Sequence, residues 1–257
     1  MKRLLTVTFI LTLLLVMLSS PALAATYDVV VERAVGASSD DCMVFYDGVT
    51  WQFGMTMESV QAGCYGTSYQ RMQSGMRFAN IDVPRDATIV SAYLYLYSSY
   101  DDSSVVETEI WGEDVNNAAT FTTYANFYDR NPTSTAVYWS VDAWTKNVWY
   151  ESPNIKSVVQ EVVNRSGWNE GNAMVLFWGS PNAVGGGRRA ATSYEADKDR
   201  AAELYIKYST SQYTEDTAVD IDEAVVVVIL LAVAYCEVWW YLKKCMESKH
   251  VSYTEPS

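Results

Sequence analysis

From residue 27 to residue 208 the chain alternates hydrophobic and polar positions with the period of a β-strand, over and over in short runs. Tyr27 to Arg33 opens the series, and Gln70 to Ile81 follows with Met72, Ser74, Met76 and Phe78 on one side. Thr88 to Ser98 places Val90, Ala92, Leu94 and Leu96 on one face, against Ile89, Tyr93, Tyr95 and Tyr97 on the other. Val105 to Val115, Ala136 to Trp144, Ala173 to Gly179, Arg188 to Tyr194 and Ala202 to Tyr208 complete a set of at least eight strands. Short strands of this kind, joined by polar turns, predict an all-β, jelly-roll-like antiparallel β-sandwich. One stretch breaks the period. Ile155, Val158, Val159, Val162 and Val163 form an apolar stripe at helical spacing, with Ser152 as N-cap, Pro153 in the first turn and Gly167 as the stop.

Two unbroken apolar runs bracket this patterned region. Residues 4 to 18 follow Lys2 and Arg3 and lead into Pro21-Ala22-Leu23-Ala24, the form of a secretory signal peptide cut after Ala24. Residues 224–242 are apolar apart from Glu237 and end against Lys243 and Lys244. At 1.5 Å per helical residue they reach about 28 Å, one bilayer core. The lysines predict a cytoplasmic C-terminal end, and Trp239, Trp240 and Tyr241 suit the interfacial aromatic belt beside Glu237. The expected order is signal peptide 1–24, β-sandwich ectodomain 25–208, flexible acidic stalk 209–223, single transmembrane helix 224–242 and cytoplasmic tail 243–257. The chain is thus expected at the cell membrane as a single-pass protein, with its N-terminal domain extracellular.

Charge and residue usage narrow the chemistry. Residues 25 to 222 carry 27 acidic and 13 basic side chains, a surface that repels nucleic acid. The only histidine is His250, in the tail, so the ectodomain has no His-based triad, no His-ligated zinc and no histidine general base. Cys42 and Cys64 are the only cysteines before the apolar C-terminal run, and in an oxidising compartment they read as a disulfide; two buried thiols are the other reading.

Several stretches have a family likeness. Met76 to Tyr97 (MRFANIDVPRDATIVSAYLYLY), Glu107 to Phe121, Ser152 to Trp178 and Gly187 to Tyr208 resemble, in order, the blocks of the DNRLRE-type domain, related to carbohydrate-binding module family 96 and to disaggregatase-related repeats. The resemblance covers about residues 27 to 208. It implies an accessory module of a secreted or surface-attached protein, some of its relatives binding polysaccharide. No ligand residue of that family transfers to a position here, and the Cys42/Cys64 region departs from it as an early insertion.

Candidate site residues come from side-chain chemistry. Trp139, Trp144, Trp149 and Trp168 are candidate stacking platforms for sugar rings, or else core. Arg188 and Arg189, adjacent on a strand, point to opposite faces; one suits an ion pair with Glu195 or another carboxylate, the other a ligand carboxylate. Asp40, Asp41 and Asp47 offer oxygen ligands for Ca²⁺, or a solvated acidic loop. Asp101 with Asp102, and Asp197 with Asp199, carry the same two readings. Asn164 begins an N-glycosylation acceptor, Asn164-Arg165-Ser166. Together these residues predict a non-catalytic surface module that binds a polysaccharide or another cell-envelope component. A self-assembling structural or adhesive protein, a homo-oligomer, is the alternative, and a polysaccharide hydrolase or lyase a second.

Overall fold

The computed structural model describes residues 25–66, 69–180, 187–212 and 223–249. The expected signal peptide, most of the stalk and the end of the tail lie outside the described residues. Residues Thr26–Ser211 form one compact unit, in which twelve strands are seen among the described residues. They are β1 (Ala25–Ala34), β2 (Asp41–Tyr46), β3 (Trp51–Gly54), β4 (Ser59–Tyr65), β5 (Tyr69–Phe78), β6 (Thr88–Tyr97), β7 (Val106–Glu113), β8 (Pro132–Val141), β9 (Trp149–Glu151), β10 (Met174–Gly179), β11 (Arg188–Thr192) and β12 (Glu203–Gln212). A four-stranded sheet runs β1-β12-β6-β9. A larger sheet runs β11-β4-β5-β10-β7-β8, with β2 on β5 and β3 on β2. The fold is an all-β sandwich.

The main core fills the space between the sheets. Leu94, Leu96, Leu204 and Ile206 come from the four-stranded sheet, and Met76, Phe78, Ile110, Leu176 and Trp178 from the larger one. All eight strands expected from alternation are present. One face assignment changes. Lys207 pairs with Ser91 and Tyr208 with Ile89, so Val90 is the extra residue of a bulge in β6 and the phase flips there: Ile89 turns into the core and Val90 turns out.

The helical stripe folds as α2 (Lys156–Val163), after the five-residue α1 (Tyr124–Tyr128). It starts later than Ser152 and Pro153 suggest, because Ser152 is used elsewhere. Its hydroxyl accepts the Leu94 N–H at 2.9 Å, Asn154 Oδ1 accepts the Ala92 N–H at 3.2 Å, and Gln160 Oε1 accepts the Ile89 N–H at 2.8 Å. These side chains continue along β6 where β9, three residues long, has ended. Val158, Val159, Val162 and Val163 meanwhile enter the core.

The Cys42–Cys64 disulfide is not formed; both thiols are buried and free. Cys42 lies opposite Gly75 on β5, while Cys64 sits at the irregularity between the Gly63↔Met72 and Tyr65↔Tyr69 pairs. The two points on β5 are at least three residues, about 10 Å, apart, and a disulfide needs Cα atoms within about 7 Å. Burial pushes the Cys42 thiol up.

The C-terminal segment is one helix, α3 (Glu223–Lys249), about 40 Å long. Lys243 and Lys244 rest over the rings of Trp239 and Trp240, at 5.4 and 5.1 Å. Among the described residues no helix is long and apolar enough to cross a membrane, so the transmembrane helix expected at 224–242 is without structural support. From Leu230 onward Glu237, Lys243 and Lys244 lower the mean hydropathy of this segment. Strand β12 extends to Gln212, so residues 209–212, expected in the stalk, belong to the sheet.

Candidate functional site

The strand period of β6 that buries Ala92, Leu94 and Leu96 directs Tyr93, Tyr95 and Tyr97 outward. Their cross-strand neighbours complete a polar-aromatic face on the four-stranded sheet. Tyr205 of β12 is opposite Tyr93, Glu203 of β12 and Glu151 of β9 are opposite Tyr95 on its two sides, and Trp149 is opposite Tyr97. Tyr93 to Tyr97 covers about 13 Å along the strand.

The rings are organised in rows across the sheet. The Tyr93 and Tyr205 centroids are 6.1 Å apart, and Tyr97 meets Trp149 edge-on at 5.2 Å. The Arg200 guanidinium lies 4.8 Å above the Tyr97 ring. In the middle row the Tyr95 hydroxyl donates to Glu151. That hydrogen bond, with burial second, pushes the phenol up to about 12. Glu203 is also raised, first by burial and then by the negative charge of Glu32 on β1. Lys207 pairs with Asp28 at 2.8 Å, and Arg200 with Asp197 at 3.5 Å.

Only one of the four candidate tryptophans is on this face. Trp149 is 37 % exposed. Trp139, Trp144 and Trp168 are core residues, the second of the two readings offered for them, and are not available as platforms. Trp139 belongs to β8, in phase with the inward-facing Val141. Trp144 stacks between Tyr150 at 4.6 Å and Trp178 at 5.8 Å. The Trp168 indole N–H donates to the Val83 carbonyl at 2.9 Å.

The two arginines do point apart, but neither reaches Glu195, whose carboxylate accepts the Ser38 hydroxyl. Arg189 is fully buried and serves structure. It donates to the carbonyls of Asp142, Val141, Arg188 and Ser104, tying the end of β8 to the start of β7. The Arg188 guanidinium is clasped between the rings of Tyr65 at 4.1 Å and Tyr100 at 4.7 Å, and it donates to Gln61 Oε1 at 3.2 Å. Its Nε and the nearby Asp102 Oδ2 are buried without a hydrogen-bond partner among the described residues. Burial raises Asp102, and the two arginine charges oppose the shift.

The three aspartates expected to share Ca²⁺ do not converge; each is used locally. Asp40 pairs with Arg77 at 2.7 Å. Asp41 accepts the Tyr194 N–H at 2.8 Å, and burial pushes its carboxyl up to about 7. Asp47 accepts the N–H groups of Val49 and Thr50 in the β2–β3 turn, both at 2.8 Å, which holds it below the usual carboxylate range. Among the described residues no group of three or more His, Cys, Asp or Glu is placed to hold a metal ion. Asn164 is exposed at the end of α2, its Oδ1 accepting from Gln160 at 2.8 Å.

Sequence reasoning finds the three β6 tyrosines and Trp149 but misses Tyr205, Glu203 and Glu151. The available signal was the alternation Leu204, Tyr205, Ile206, Lys207, Tyr208, which puts Tyr205 outward; the pairing of β12 with β6 has no local signature. No family model matches this chain, and no curated protein matches it.

Proposed function

We propose that residues 25–208 form a non-catalytic carbohydrate-recognition module, a jelly-roll-like sandwich related to the DNRLRE-type domain and held at the outer surface of a membrane by residues 224–242. One observation carries the recognition reading: an outward sheet face on which Tyr93, Tyr95, Tyr97, Trp149 and Tyr205 are contiguous and interleaved with carboxylates and bases. Aromatic faces stack on the C–H side of sugar rings, and side chains such as Glu151, Glu203 and Arg200 suit the hydroxyls. A flat apolar patch would favour self-assembly; charged residues break up this one. The family reading is supported by the sequence blocks that resemble that domain, in the same order along residues 76–208. The anchor reading is supported by the sequence pattern of a leader, an apolar run and two lysines.

The test is a polysaccharide panel with the purified full-length chain. Binding to a glycan that Trp149→Ala and Tyr97→Ala each abolish, with unchanged thermal melts, is the expected result. No binding across the panel would overturn the recognition reading. Alkaline extraction of membranes tests the anchor: the chain stays in the pellet, and release into the supernatant would refute it.

A second reading has one observation in its favour. Glu203 and Glu32 are neighbouring carboxylates on this face, the kind of pair that glycoside hydrolysis uses. Shortening of the bound polysaccharide in the same assay would replace recognition with hydrolysis.

A further inference from the structure

The aromatic face carries an uneven charge, and that imbalance bears on what it accepts. Its two bases are already engaged, Lys207 with Asp28 and Arg200 with Asp197. Its carboxylates are not balanced in the same way. Glu203 and Glu151 flank Tyr95 from the neighbouring strands on either side, and Glu32 stands close enough to Glu203 to repel it. Glu151 receives a neutral phenol hydroxyl. Glu32 and Glu203 have no ion-pair partner among the described residues. A row of carboxylates therefore crosses the sheet through Tyr95, with the Tyr93–Tyr205 rings on one side and the Tyr97–Trp149 rings on the other.

Resting on the recognition reading above, we propose that the occupant of this face is a glycan bearing free amino groups, a polymer of partly or fully deacetylated amino sugar. Three features converge on it. The ring rows supply stacking for consecutive pyranoses. The carboxylate row between them is complementary to an ammonium group carried by the sugar seated over Tyr95. The same row, in a domain with 27 acidic and 13 basic side chains between residues 25 and 222, repels sulfated and uronate polymers. An ammonium over Glu203 also offsets the repulsion between Glu203 and Glu32. A metal ion needs its ligands clustered around one point; an ammonium on a sugar needs only that its donors meet carboxylates along a row.

The experiment is calorimetric titration of the full-length chain with the hexamer of β-1,4-linked glucosamine, its fully N-acetylated counterpart and a hexuronate. The expected order is glucosamine over N-acetylglucosamine by about tenfold, as a few exposed charge pairs together supply, with no hexuronate binding. Raising the salt from low ionic strength should erode that preference. The double variant E32Q/E203Q should bring the two hexamers to equal affinity, by weakening glucosamine binding more than binding of the acetylated hexamer, whose hydroxyls the glutamine amides can still bond. Equal or tighter binding of the acetylated hexamer, binding of the hexuronate, or a preference that survives in E32Q/E203Q would overturn the amine assignment and leave carbohydrate recognition standing. Failure of all three hexamers, with no binding to the wider panel, would overturn both.

Discussion

The molecule has two outward sheet faces rich in aromatic side chains, and the chain treats them in opposite ways. On the larger sheet the outer face is buried a second time. Cys42, Val44, Val175 and Phe177 lie beneath Phe121 and Phe127, which residues 118 to 128 bring across them. Gly75 makes that lid possible: a Cβ there would stand 2.4 Å from the Phe121 ring. Arg130 fastens it, with its guanidinium 4.4 Å from the Phe121 ring centre and hydrogen bonds to Glu113 at 2.6 Å and to the Ala119, Thr120 and Asn126 carbonyls. On the four-stranded sheet no such lid is seen among the described residues of Thr26–Ser211; its rings are tyrosines and one tryptophan, whose polar atoms tolerate water. Phenylalanine forms the centre of the covered patch on the larger sheet, and tyrosine beside carboxylate forms the middle of the uncovered face on the smaller one.

Mutation should separate the two faces. Phe121→Ala removes the centre of the lid and should cost about 3–5 kcal/mol in denaturant unfolding; a loss under about 1 kcal/mol would mean that the lid is not part of the cooperative core. Next in size is Asp41, at the start of β2. Its folded titration at about 7 lies above the ordinary 3.8, so the fold favours the protonated carboxyl. Its contribution is most favourable below about pH 4, declines as the pH rises towards 7, and stays low above that. Asp41→Asn keeps an acceptor for the Tyr194 N–H without the charge. The variant should gain on the order of 2–4 kcal/mol over the native chain at pH 8 and little at pH 4. Melting curves across that range decide it, and a constant difference would dismiss the titration.

The bare face should respond weakly. Trp149→Ala should change stability by less than about 1 kcal/mol, although it removes a tryptophan; a loss as large as that of Phe121→Ala would dissolve the contrast. Tyr95→Phe is the smallest. Losing one hydroxyl to Glu151 should cost about 0.5–1 kcal/mol at neutral pH. It should also abolish the phenol titration near pH 12, observable by ultraviolet absorbance.

The legible elements were those with one wet face. β6 and β7 bury every second residue, and alternation found them. The strands β2 and β4 escaped because almost every residue of Asp41–Val44 and Ser59–Cys64 is buried, so no polar side marks the period. β3 and β9, with four and three residues, are too short to show one. The bulge at Val90 misled the reading of Ile89 and Val90, since it shows only in the pairing with β12. Tryptophan identity likewise said nothing of exposure. Phase did: Trp139 follows Val137 and precedes Val141 on the inward side of β8, while Trp149 and Glu151 flank the half-buried Tyr150. Asp40, Asp41 and Asp47, offered either for Ca²⁺ or as an acidic loop, are neighbours in sequence that take separate partners: Arg77, the Tyr194 N–H and the turn that follows Asp47.

The side chains of Ser152, Asn154 and Gln160, which accept N–H groups of β6 beyond the end of β9, have a consequence for how copies of this molecule meet. They occupy the row of donors through which a further strand would be added, so on that flank the sheet cannot propagate from one copy to the next. Beyond β9, whatever engages the sheet from the β6 flank must lie across its surface and cannot extend its ladder, which removes that stretch from the edges open to strand-by-strand polymerisation.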